Sequence, residues 1–75
     1  MNSEDFQTIE GAVATTHADM ASQLGISEVS VKRYATGAQP IPEHISKLTV
    51  ALLLIQNEEL QKKFAKMLAK YHADT

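Results

Sequence analysis

"THADMASQLGISEVSVKRYATG" (Thr16–Gly37) is the stretch that decides the fold of this chain. Thr16 is followed three residues later by Asp19, a spacing that resembles a capping box and opens a helix there. Met20, Ala21 and Leu24 recur at helical spacing, and Gly25 is placed to end the helix in a left-handed conformation. Ser27 caps a further helix of about two turns, closed by Gly37. Two helices that cross steeply through a tight turn need this order of residue types. Ala21 lets the axes approach, Gly25 takes a positive φ, and Ile26, Val31 and Tyr34 hold the second helix from beyond the turn.

Outside that stretch the apolar period is also helical. Ser3 can cap a first helix with Glu4 and Asp5 in its opening turn and Phe6, Ile9 and Val13 on one face. "QPIP" (Gln39–Pro42) is an extended connection, with Pro42 suited to the first turn of a fourth helix. That helix carries Ile45, Leu48, Leu52 and Ile55 on one side and Val50, Leu53 and Leu54 on another, so its end should be buried from two directions. Asn57 can cap a fifth helix, which opens with Glu58 and Glu59. Its apolar stripe is Leu60, Phe64, Met67, Leu68 and Tyr71, and Lys62, Lys63, Lys66 and Lys70 gather opposite. The expected fold class is all-α, with five helices and no strands.

The 75 residues suit one small domain whose core is marginal by itself, and the chain has no Cys to staple it. A second copy of the chain is the expected source of further stability, the fifth helix covering one side of the fourth and a symmetry mate the other. Val50, Leu53, Leu54, Leu60, Phe64, Met67, Leu68 and Tyr71 are the candidate dimerisation residues, within helices spanning about 43–72. The formal charge of -2 hides an asymmetry. Residues 1–27 hold Glu4, Asp5, Glu10 and Asp19 with no Lys or Arg, a net -4, whereas residues 28–75 hold all seven Lys and Arg against five acids, a net +2. A broadly basic nucleic-acid binder is therefore excluded, but a local basic footprint is not. No basic start leads into an apolar core, and the apolar run Val50–Ile55 is too short to span a bilayer. A soluble cytoplasmic protein without membrane contact is expected.

The segment after Ser27 supplies the chemistry. At about 100° per residue from Glu28, Lys32, Val29 and Arg33 fall on one side, and Ser30, Tyr34 and Val31 on the other. A valine among charges is odd on a solvated face but suits a major groove, where it can meet a thymine methyl. Arg33 can pair with guanine O6 and N7, Glu28 can accept from cytosine N4, and Lys32 suits guanine or a phosphate. The helix N-termini at Thr16 and Ser27 add N–H donors for phosphates, and Ser30, Thr36 and Gln39 are further candidate backbone contacts. A solvated helix with incidental charges is the bland alternative, in which Thr16, Ser27 and Thr36 only cap or turn.

Small-residue, glycine and apolar positions from Thr16 to Gly37 agree in order and spacing with the helix-turn-helix of the Cro and phage-repressor family, also called lambda-repressor-like or Xre-type, which the chain resembles from about Phe6 to Leu54. "QPIPEHISKLTVALL" (Gln39–Leu53) is similar to that family's loop and fourth helix. Two departures are the acidic first helix and His17, which stands where the family often has Gln as a backbone contact and is counted with the candidate backbone contacts. The resemblance implies one domain over 1–75 with a helix-turn-helix core at 16–36, and a dimeric DNA-binding transcriptional regulator, most simply a repressor on an inverted-repeat operator. It also implies a phage, prophage, plasmid or toxin–antitoxin setting, hence the bacterial cytoplasm or nucleoid. The partners expected are double-stranded DNA and a second copy of the chain. A protein-interaction module using the same helical scaffold is the competing function. His17, His44 and His72 lack metal-ligand spacing, and no nucleophile elbow or phosphate loop frames the Ser, His and Asp residues. No enzyme activity, metal, cofactor or small-molecule substrate is expected.

Overall fold

The computed structural model describes residues 1–72. They form five helices, α1 (Ser3–Val13), α2 (His17–Leu24), α3 (Glu28–Thr36), α4 (Glu43–Leu54) and α5 (Glu58–His72), with no strand among the described residues. No helix among them is long and apolar enough to cross a membrane.

The helix ends show why the boundaries fall where they do. Thr16 Oγ1 accepts the Asp19 N–H at 3.0 Å, and Asp19 reaches back to the Thr15 N–H at 3.0 Å, one residue earlier than a strict capping box. Ser27 Oγ accepts the Ser30 N–H at 3.1 Å. Asn57 Oδ1 accepts the Glu59 N–H at 2.9 Å. Two sequence expectations are corrected. Asn2 rather than Ser3 caps α1, because its carboxamide accepts the Asp5 N–H at 2.8 Å from an extended backbone. Pro42 precedes α4 instead of entering it, since its ψ of 151° is extended.

Gly25 adopts φ 71°, and the turn it makes lets the Ile26 N–H donate to the Ala21 carbonyl at 3.1 Å and the Gly25 N–H to Ser22 at 3.3 Å. A β-carbon at Gly25 would meet nothing within 4 Å, so only the backbone conformation selects glycine here. Gly25→Ala is therefore expected to cost about 1–2 kcal/mol in urea unfolding, the strain of a left-handed residue. A loss within the roughly 0.5 kcal/mol of inert surface changes would show that the turn relaxes without strain.

α1 has no glycine cap, and Ala14 leaves it in an extended conformation. Its last carbonyls are satisfied from elsewhere: Gln23 Nε2 donates to Val13 at 2.8 Å and Gln56 Nε2 to Ala12 at 2.6 Å. Gln7 Nε2 donates to the Ala35 carbonyl and so ties α1 to α3.

The core is made of Phe6 from α1, Met20, Ala21 and Leu24 from α2, Val31, Tyr34 and Ala35 from α3, and Ile45 and Leu52 from α4. Phe6 and Tyr34 meet edge to face, with centroids 5.9 Å apart. Thr49 is fully buried among them, and its hydroxyl donates to the Ile45 carbonyl at 2.7 Å, so no polar atom there is orphaned. Helix packing joins α1, α2, α3 and α4 and leaves α5 out. The expectation that α5 covers one side of α4 is thus corrected. Every α5 residue from Glu58 to Tyr71 is exposed, as are Val50, Leu53 and Leu54. The link from Ile55 to Asn57 carries α5 across a cleft instead, lined by Val13, Leu52 and Ile55 on one wall and Phe64 and Leu68 on the other.

Candidate nucleic-acid interface

α3 is held from one side only. Val31 is fully buried, Tyr34 and Ala35 nearly so, and each sits in the core formed with α1, α2 and α4. Glu28, Val29, Lys32, Arg33 and Thr36 are all exposed, as the helical spacing predicts. Val29 is 54% exposed, a branched apolar side chain standing among charges. Lys32 Nζ lies 3.6 Å from Glu28 Oε1 one turn away, an exposed pair that water screens and that either partner can leave for a better ligand. Arg33 makes no ion pair among the described residues. The face thus presents one unengaged guanidinium, one loosely paired ammonium and carboxylate, and an apolar branch.

The candidate backbone contacts are more engaged. Thr16 Oγ1 and Ser27 Oγ are taken by caps, and the Ser27 hydroxyl donates to Ser30 Oγ at 2.9 Å. Thr36 Oγ1 donates to the Lys32 carbonyl at 2.9 Å, inside its own helix. The Gln39 N–H closes the turn after α3 by donating to the Arg33 carbonyl at 3.2 Å, and its side chain stays exposed. His17 lies at the first turn of α2 with its ring 41% exposed, and its Nδ1 is 2.7 Å from Glu10 Oε2.

Glu10 is the residue the sequence reading passed over. It is buried, at 9% exposure, on the stripe that carries Phe6 and Val13. Its spacing of four from Phe6 and three from Val13 was the available signal: an acid on a core stripe needs a partner. Glu10 and His17 line an open groove of about 660 Å³ with Gly11, Thr16, Glu28 and Thr36, between α1, the start of α2 and α3. The groove therefore borders the exposed face of α3.

The candidate dimerisation residues are all exposed. Val50, Leu53 and Leu54 belong to α4, with Leu54 75% exposed, and Leu60, Met67 and Tyr71 project from α5. Phe64 and Leu68 turn toward the chain's own cleft. Compared with family models, curated proteins and solved structures, the chain gives no match.

Proposed function

We propose that the chain is a sequence-specific regulator of transcription that binds double-stranded DNA as a dimer through a helix-turn-helix of the lambda-repressor-like kind. α2 and α3 form that motif, and α3 is the helix that enters the major groove. One observation carries the proposal: α3 is anchored by Val31, Tyr34 and Ala35 while Val29, Lys32 and Arg33 are exposed on the opposite side. A rigid helix that offers a donor fork, an ammonium and a methyl-bearing branch matches the edges of base pairs. The overall charge of -2 fits as well, since affinity needs cations only where the surface meets phosphates.

Repression by occluding a promoter is the simplest action for such a protein, with control through its own concentration. The dimer is proposed to form through the exposed apolar residues of α4 and α5, whose uncovered row would otherwise face water.

A second function is supported by that same row together with the acidic α1, namely a protein-interaction module that docks a partner on α4 and α5 and makes no specific DNA contact. Gel-shift titration at low salt against fragments selected from genomic DNA separates the two. Retardation that resists competitor DNA supports the regulator, and no retardation at any concentration overturns it. Arg33→Ala is expected to cost about 1–3 kcal/mol on the selected site and to relax preference at one base pair per half-site. An equal loss on every sequence would make Arg33 a phosphate contact.

A further inference from the structure

We infer that buried Glu10 is a positioning residue for His17, holding its ring so that the protonated imidazole clamps a DNA phosphate beside α3; this rests on the DNA-binding function proposed above. The pair is anchored from inside the protein. Glu10 is buried on the core stripe of α1, and its Oε2 sits 2.7 Å from His17 Nδ1, a length found in charge-assisted bonds. With Glu10 ionised, its carboxylate only accepts, and Nδ1 is then the donor to it. Nε2 is then the ring's free nitrogen, on a side chain 41% exposed at the edge of the groove that borders α3.

The protonation state of Nε2 decides what the ring can do. A neutral ring that donates from Nδ1 has a lone pair at Nε2, and a phosphate oxygen offers only lone pairs, so the two repel. A protonated ring donates from both nitrogens, to Glu10 and to the phosphate at once. Net charge points the same way. The pair carries -1 with the ring neutral and 0 with it protonated, and a buried uncompensated carboxylate close to the DNA backbone opposes binding. No Lys or Arg lines the groove to offset it; the other charged groups facing this region are Glu28 from α3, which lines the groove, and Asp19 from α2, whose carboxylate is turned to the Thr15 N–H. DNA binding by this protein is thereby coupled to proton uptake at His17.

The sign follows from that coupling. Bound DNA favours the charged ring, so affinity rises as pH falls and is lost as pH rises. One proton per protomer gives a slope of at most about tenfold in affinity per pH unit and protomer. Fluorescence anisotropy with a selected duplex, at constant ionic strength from about pH 5.5 to about pH 8, brackets the range where histidine changes charge. Wild-type affinity is expected to fall tenfold or more across it. His17→Gln, which keeps a neutral donor, is expected to flatten the profile, and Glu10→Gln to lower affinity at the acid end, whereas His44→Gln at an exposed position of α4 leaves the profile unchanged. Circular dichroism at each pH shows whether a variant is folded, and an NMR titration of the His17 ring with and without duplex reads the same proton directly. If folded His17→Gln loses affinity with the wild-type slope, or the ring titrates identically with and without DNA, the clamp is wrong and the DNA-binding function stands. Absence of binding at every pH removes that function and the clamp with it.

Discussion

Phe6→Ala is expected to remove much of the chain's stability at 25 °C. The Phe6 ring is fully buried and meets Tyr34 edge to face, so it locks α1 onto α3 across the centre of the core. Truncating a buried phenylalanine costs about 3–5 kcal/mol from lost transfer energy and the cavity left behind. A chain of this length has a total stability of about 4–11 kcal/mol, so one side chain removes much of it. Urea and thermal unfolding followed by circular dichroism measure the loss. A change below about 1 kcal/mol would mean that α1 repacks onto α3 without its central ring. Specific DNA binding should disappear along with the fold, since the anchored side of α3 is what aims its exposed side.

The second large effect concerns the proposed operator. Each α3 spans few base pairs, so a single copy would bind little above its non-specific level. A two-fold dimer places two such helices about 34 Å apart, one turn of B-DNA, and both then enter the major groove from one side. The selected DNA is expected to be an inverted repeat with half-site centres about 10 bp apart. Inserting about 5 bp turns one half-site to the far face and should reduce binding to the non-specific level, typically about 10³-fold or more weaker. Inserting about 10 bp restores the face but exceeds the reach of the dimer, and should rescue little. Gel-shift titration on the three duplexes, with sedimentation of the free protein at the same concentrations, gives the answer. Equal affinity for a single half-site and the full repeat would rule out the dimer mechanism even if every contact on α3 is right.

Helix ends were legible because they are local. Thr16, Ser27, Gly25 and Asn57 do their work within a few residues of themselves, through a cap bond or a left-handed turn. The slips at Asn2 and Pro42 have the same cause: each neighbouring residue could also begin a helix, and only the dihedral angles choose between them. Periodicity likewise identified Met20, Ala21, Leu24, Val31 and Tyr34 as the buried sides of α2 and α3, and so placed Val29, Lys32 and Arg33 outside.

Contacts between helices were a different matter. The bond from His17 to Glu10 joins residues seven apart on two helices, and Gln56 reaches Ala12 across 44 positions. Neither separation leaves a periodic trace. The position of α5 was misjudged for a related reason. An apolar stripe states that a helix has a face to cover but not what covers it, and the stripe from Leu60 to Tyr71 gave no means of separating its own α4 from another molecule.

By itself, the order of residues determined five helices, their direction changes at Gly25 and Gly37, and the two sides of α3, because hydrogen bonds and side-chain direction repeat along a helix. Tertiary structure alone decided that His17 is the partner of Glu10, that a groove opens beside α3, and that α5 stands apart from the other four helices. Those features depend on which surfaces exclude water together, a property of the packed whole that no local spacing encodes.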